Sequence, residues 1–171
     1  TGRFLAKSGD ARWKAVEWLM WQMAGLGPMA GQLNHFAVYA KEKIPYAIER
    51  YTNEYARLMG VLEKRLIEAE FLAGEEYSIA DIATFPWIRT ALAYFPWLVA
   101  TPEEGLACHP GLQRWFAAIA ARPAVQRGLE AEKGFLSLDI EAFGKADAEA
   151  IDRFCGRGRF AGGRAALGCA I

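Results

Sequence analysis

The sequence predicts an all-α fold, and three observations carry that reading. Apolar residues recur at helical spacing along most of the chain. Strand-like alternation is absent over any useful length, and one segment carries a complete helix-start signature. That segment runs Phe71-Leu72-Ala73-Gly74-Glu75-Glu76-Tyr77-Ser78-Ile79-Ala80-Asp81-Ile82-Ala83. Leu72-Ala73-Gly74 is expected to end one helix, because glycine takes left-handed backbone that other residues avoid. Ser78 stands where an N-cap belongs, and Asp81 three residues on can reach back to the Ser78 amide. This is a capping box with Asp in place of Glu or Gln, and Tyr77 with Ile82 gives it a possible hydrophobic staple. Ser78 and Asp81 therefore read as structural residues rather than catalytic ones.

The other elements follow in order. Asp10 is the expected N-cap of a first helix with a stripe at Trp13, Val16, Leu19 or Met20, and Met23. Trp18 and Trp21 widen the stripe, which predicts a helix buried on more than one side. Gly25-Leu26-Gly27-Pro28 interrupts it, and Pro28 suits the first turn of a new segment, where its missing N–H costs nothing. That segment ends near Asn34-His35-Phe36. Pro45 opens a long helix in which Tyr51, Tyr55, Leu58, Leu62 and Leu66 share one face. Beyond the capped helix, Pro96, Pro102, Gly105 and Pro110 mark a loop. His109-Pro110 then starts another helix, Arg122-Pro123 breaks it, and a last helix runs toward Lys133.

The chain changes character near Gly134, so two regions are expected: a helical domain over residues 1–134 and an atypical tail over 135–171. The tail holds one possible amphipathic helix between Phe135 and Phe154, then a stretch rich in glycine and arginine that reads as flexible. Arg153, Arg157, Arg159 and Arg164 make its end basic, yet so short a tail more often is a solvated end than a nucleic-acid contact.

Composition bounds the function. At 171 residues with 53% hydrophobic and 23% charged side chains, the chain can bury a real core. Twenty basic residues balance twenty acidic ones, which argues against nucleic acid or an anionic membrane as the main partner. No apolar run is long enough to span a bilayer, and Thr1-Gly2-Arg3-Phe4-Leu5 is not a signal peptide. Three widely spaced cysteines, Cys108, Cys155 and Cys169, fit neither a disulfide framework nor a zinc site. A cytoplasmic location is expected. No metal-ligand spacing, dinucleotide fingerprint or phosphate loop occurs.

Four stretches together carry a family resemblance: Trp18-Leu19-Met20-Trp21-Gln22; Gly25-Leu26-Gly27-Pro28-Met29 with Gly31-Gln32; Ile44-Pro45-Tyr46-Ala47-Ile48-Glu49-Arg50-Tyr51; and the capped helix, with His109-Pro110 and Arg122-Pro123 adding the usual ending. Residues 1 to about 134 resemble the C-terminal helical domain of bacterial glutathione transferases. Within that family they are most similar to the Nu-class glutathione-dependent disulfide-bond oxidoreductases, relatives of the yeast nitrogen regulator that forms prions. The resemblance implies a glutathione transferase C-terminal-like helical bundle. It also implies a homodimer, and a thioredoxin-like N-terminal domain that holds the thiolate-stabilising centre and most of the glutathione site. Thr1-Gly2-Arg3-Phe4-Leu5 resembles the end of the interdomain linker, so that domain is expected to lie outside these residues and no catalytic residue is expected in this chain.

What the resemblance leaves to this half is a co-substrate pocket wall and part of the glutathione site. The arginine matching Arg50 is expected to reach a glutathione carboxylate, a task suited to a permanently charged, paired donor. Read without the family, Arg50 is an ordinary exposed residue within pairing distance along a helix of Glu54 or Glu49. Gln22 is a second candidate for glutathione contact, the alternative being a polar residue at the rim of an aromatic core. Met29, Gln32, Asn34, His35 and Phe36, just past the glycine-proline stretch, are candidates for the pocket wall, with Trp87 (and Trp97) at its edge. His35 has no evident carboxylate or nucleophile beside it and reads as a helix-end residue rather than a base. The competing reading of the whole chain is a non-catalytic helical module used for binding or assembly, as helical domains of this fold are in some translation complexes. A truncated fragment should also self-associate, through apolar surface left uncovered.

Overall fold

The structure, a computed structural model, describes residues 3–95, 106 and 108–160. The turn residues Pro96, Pro102 and Gly105, the candidate edge residue Trp97, and Arg164 and Cys169 lie outside the described residues. Helices make up the described fold: α1 (Asp10–Trp21), α2 (Gly27–Asn34), α3 (Pro45–Glu68), α4 (Ile79–Tyr94), α5 (Pro110–Ala120), α6 (Pro123–Lys145) and α7 (Ala148–Phe154). No strand occurs among the described residues, where an isolated bridge joins Phe71 and Gly74. The expected all-α bundle is the observed one.

The core is built where the α3 stripe predicts. Tyr55, Leu58, Leu62 and Leu66 are buried, and Tyr51 is half-buried at the start of the same face. α3 packs against α2 on one side and α5 on the other, while α1 lies along α4. Leu26, Leu33, Leu72, Ile88, Leu112, Trp115 and Ile119 complete the buried cluster.

The capped helix is tied more widely than its local motif requires. The Ala80 amide donates to Ser78 Oγ at 3.3 Å, and the Ser78 amide donates back to Asp81 Oδ2 at 2.9 Å. Asp81 is fully buried. It accepts three further bonds, from Ser78 Oγ at 2.9 Å, the Leu72 amide at 2.9 Å and the Trp115 indole at 2.8 Å. One carboxylate thus joins the preceding turn, α4 and α5. Tyr77 and Ile82 line one surface groove, but the Tyr77 ring also meets Phe4 and Phe71 edge-on and carries the Arg122 guanidinium 3.9 Å from its centroid.

A second joint lies between α3 and α5. Glu63 accepts from the Gly111 and Leu112 amides at 3.0 and 2.8 Å, satisfying donors that a helix start leaves open. Arg114 returns the favour at the other helix, donating to the carbonyls of Leu66, Ala69 and Glu70 near the α3 end. A Cβ at Gly111 would lie 2.8 Å from the Leu66 carbonyl carbon, so glycine permits this approach.

Five expectations are corrected. Gly9, with φ 79°, caps α1, and Asp10 is its first helical residue. α1 is not buried on several sides: Ala15 is its buried residue, and Trp13 and Met20 are 67% and 53% exposed. Gly25-Leu26-Gly27-Pro28 does not interrupt the helix. A π-turn over Gln22–Leu26 carries the backbone into α2, with Gly27 in helical geometry at φ −59° and ψ −57°. Such a turn already shifts the hydrogen-bond register, so the donor that Pro28 lacks falls where the ladder is being rearranged. α3 ends at Glu68, four residues earlier than Leu72, and Gly74 (φ 138°) shapes the bridged turn that follows. Finally, α6 does not stop near Lys133 but continues through Gly134 to Lys145. An i,i+3 pair of Lys133 with Glu130 and an i,i+4 pair of Lys145 with Glu141 flank that continuation.

Candidate functional site

The run from α1 to α3 positions the candidate residues. α1, the π-turn, α2 and a second π-turn over His35–Tyr39 form a nearly continuous helical path. α3 then returns from Pro45, which sits in its first turn without needing a donor. Two surface clefts and one smaller pocket along these elements hold most of the candidate residues.

The first cleft, of about 780 Å³, lies along the start of α3, with Met29 of α2 opposite Tyr46, Glu49, Arg50, Asn53, Glu54 and Arg57. Its charges are already partly committed. Arg57 Nε and Nη2 hold both Glu54 oxygens at 2.8 Å, a paired fork geometry. Those bonds hold the Glu54 carboxyl below its usual range, against a smaller opposing effect of burial; Arg57 and Arg50 add attraction through space. Arg50 is exposed and makes no hydrogen bond or ion pair among the described residues. The expected alternative partner, Glu54, is therefore occupied by Arg57.

The second cleft, of about 580 Å³, lies between the π-turn, α2 and α4. Gln22, Met23, Gly31, Gln32, Ala83 and Trp87 contribute to its wall. Gln22 is 2% exposed, and its Oε1 has no hydrogen-bond partner. The glycine at position 27 makes this packing possible. A Cβ there would meet Gln22 Nε2 at 2.9 Å and the Trp87 indole at 3.2 Å. Trp87 thus rests almost on the α2 backbone, and Gln22 sits beside it with an acceptor unused.

The predicted residues are divided rather than gathered into one pocket. Met29 and Arg50 share the first cleft, while Gln22, Gln32 and Trp87 share the second. Asn34 lines a smaller pocket of about 40 Å³ that Trp87 also borders. His35 and Phe36 lie between, half-buried and edge-to-face at 5.1 Å, and Phe36 stacks on Tyr51 of the first cleft at 5.6 Å. No carboxylate bonds His35 among the described residues. Arg57, Tyr46 and Asn53 of the first cleft were not singled out by sequence reasoning. The spacing of Tyr46, Arg50, Asn53 and Arg57 along one side of α3 is the signal that points to them.

Residues 28–123 match the family described as glutathione S-transferase, C-terminal domain. The chain belongs to the glutathione S-transferase C-terminal domain family. It is 44% identical over 129 residues to the disulfide-bond oxidoreductase YfcG of Escherichia coli, covering 75% of this chain and 56% of the relative. To YghU of the same organism, also named a disulfide-bond oxidoreductase, it is 37% identical over 127 residues, covering 74% of this chain and 44% of the relative. Among solved structures it is similar to a glutathione transferase from Burkholderia graminis with two glutathione molecules bound per subunit. That likeness has a TM-score of 0.66 at 43% identity, over 75% of this chain and 53% of the other. A glutathione transferase of Phanerochaete chrysosporium in complex with oxidised glutathione gives a TM-score of 0.70 at 31% identity, over 78% of this chain and 60% of the other. The chain spans about half the length of the curated relatives it matches. Among the described residues no helix of this glutathione S-transferase domain is long and apolar enough to cross a membrane. Nor does any group of three metal-binding side chains come together among them.

Proposed function

We propose that this chain is the helical half of a glutathione-dependent transferase or disulfide-bond oxidoreductase of the Nu-class type, and that it does not catalyse alone. In this reading a thioredoxin-like domain supplies the thiolate-stabilising centre, and the helical half supplies a pocket wall and part of a homodimer surface. The share of each curated relative that the chain leaves unmatched supports the first point. The exposed apolar side chains Trp13 and Met20 of α1 and Met23 of the π-turn after it support an uncovered partner surface. We assign residues 1–134 to the glutathione transferase domain and 135–171 to an added tail, and place the protein in the cytoplasm.

The observation that carries the proposal is Arg50, an unpaired guanidinium in a cleft wide enough for a tripeptide. Glutathione is an anion with two carboxylates, and guanidinium offers parallel donors matched to one of them. Met29 and the stacked Phe36–Tyr51 pair would give apolar contact beside it. Across Trp87, Gln22 Oε1 would accept from an amide of a second bound group, with Gln32 nearby on the same wall. His35 contributes shape rather than proton transfer, and Asn34 acts from the smaller pocket that Trp87 also borders.

Calorimetric titration of glutathione into this chain, with Arg50→Ala in parallel, tests the reading. Saturable binding that weakens at least tenfold in the variant is expected, the loss of about 1.4 kcal/mol or more that a charge-assisted pair contributes. Equal affinity in both proteins would remove Arg50 from the site. Heats too small to fit in the wild type would deny this half a glutathione site of its own.

A further inference from the structure

The glycine- and arginine-rich run after α7 reads in the sequence as a solvated end, yet part of it is tied to the body of the domain. Gly156 and Gly158, at φ 60° and 58°, take left-handed backbone on either side of Arg157 and turn the chain back on α7. The Arg157 amide donates to the Asp152 carbonyl at 2.7 Å, and Arg157 Nε donates to Asp152 Oδ1 at 3.1 Å. Arg157 Nη1 then donates to the Tyr39 carbonyl at 2.9 Å, across 118 residues. The other carboxylate oxygen, Asp152 Oδ2, accepts from Lys41 Nζ at 2.7 Å, across 111 residues. The Arg157 and Asp152 side chains are 19% and 20% exposed, whereas Arg153 of the same tail is 67% exposed.

The place where these ties land is an open helix end. Tyr39 is the last residue of the second π-turn, and a helix end leaves carbonyls without partners. Lys43 Nζ takes two of them, those of Ala37 and Val38, at 3.0 and 3.2 Å. Arg157 takes the third, so one cation from nearby and one from the tail share the cap. Cations suit this end because the helix dipole leaves it negative.

We infer that residues 147–160 form an intramolecular strap, with Arg157 and Asp152 as its clasp on Tyr39 and Lys41. The far end of the strap is fixed through α6, where Arg89 pairs with Glu132 at 2.7 Å, and the Phe143 ring meets Phe154 of α7 edge-on at 4.8 Å. What the clasp restrains is the connection between the two walls of the first cleft. Met29 stands on α2, Tyr46 and Arg50 stand on α3, and residues 40–44 join the second π-turn to α3. A closed clasp holds that connection from outside, and with it the spacing of the walls. Ion pairs with one exposed partner are weak ties (Lys41 is 63% exposed), so the clasp can open without unfolding the bundle.

Solution NMR of the whole chain tests the strap. Nuclear Overhauser contacts from Arg157 to Tyr39 or Lys41 are expected in the wild type, and their absence would overturn the inference. Amide exchange supplies the second reading. The Ala40 amide, bonded to the His35 carbonyl at 2.7 Å, reports on the end of the π-turn. It should exchange roughly tenfold faster in Arg157→Ala, the effect of losing one charge-assisted bond, while the Leu62 amide in α3 keeps its rate. Asp152→Asn, which removes the charge and keeps the shape, should move Ala40 in the same direction. Unchanged exchange at Ala40 in Arg157→Ala would overturn the clasp. So would a rise shared equally by Leu62, which would make Arg157 a contributor to global stability instead.

Discussion

The Asp81 joint and the α2 wall are both buried and both polar, but they treat their polar atoms in opposite ways. At the joint every oxygen of one carboxylate is used, with bonds to the Leu72 and Ser78 amides, the Ser78 hydroxyl and the Trp115 indole. At the wall, Gln22 Oε1, Asn34 Oδ1 and Tyr55 OH have no protein partner. A saturated network rigidifies and specifies a fold, whereas an unsaturated one leaves capacity for water or ligand. The difference separates what holds this domain together from what it has available to bind.

The largest effect expected from that contrast is at Asp81. Asp81→Ala strands four buried donors at once, and its cost should reach about 4 kcal/mol or more in denaturant unfolding. Ser78→Ala, which loses mainly the cap, should cost about 1 kcal/mol. If the two variants unfold at the same denaturant concentration, the carboxylate is no more than a local cap and the contrast collapses. Gly111→Ala comes next, because its Cβ would lie 2.8 Å from backbone at the end of α3. Forced overpacking of this kind costs about 1–3 kcal/mol, readable in the same experiment.

Much of the saturated joint is legible in the sequence, because a capping box is a local device. Ser78 and Asp81 are three residues apart, and the backbone geometry of a helix start does the rest. Trp115, 34 residues away, is the bond that no spacing could announce. The same holds for Glu63, whose bonds to the Gly111 and Leu112 amides cross 48 and 49 residues. The α3 stripe was equally readable, since period alone defines its face. In α1 the period marks a stripe that this fold leaves largely exposed, because periodicity cannot say whether anything covers a face. Trp13, at 67% exposure, is apolar and uncovered in this chain. At Gly25-Leu26-Gly27-Pro28 the breaker residues were read by their local preference. What overrode it was tertiary: Trp87 needs the bare backbone of Gly27, and a π-turn absorbs the proline. The candidate site residues are expected in one pocket and the fold divides them between two clefts, because their partition depends on where α4 places Trp87.

A smaller and more selective effect is expected at Gln22. Its oxygen has no partner to lose, so Gln22→Leu should leave stability within about 1 kcal/mol of the wild type or raise it. Ligand binding should respond instead, with glutathione affinity falling in calorimetry while the unfolding midpoint holds. A clear loss of stability would mean that Gln22 belongs to the fold like Asp81. The outcome sharpens the comparison either way, since it measures whether an unpaired buried acceptor is structural or functional.

The smallest effect concerns the acid limb of stability at the first cleft. Glu54 is held ionised mainly by its paired bonds to Arg57, so its folded pKa lies below its unfolded value. A depressed carboxyl stabilises the fold above the unfolded pKa, and that contribution disappears as pH falls through the folded one. Glu54→Gln should therefore lower stability slightly at neutral pH and not at all well below the carboxylate range. Solvent screening keeps the difference small, because both side chains are partly exposed and the pair lies three residues apart on one helix. The variant has a second consequence that makes it worth measuring. Removing Glu54 takes an anion from beside Arg50 and frees Arg57, so the cleft becomes more positive. Glutathione should then bind more tightly, and with steeper salt dependence, if its carboxylate docks at this arginine pair. Weaker binding in Glu54→Gln would mean that Arg57 must be held in place by Glu54 to serve the cleft, which would add that ion pair to the ligand site.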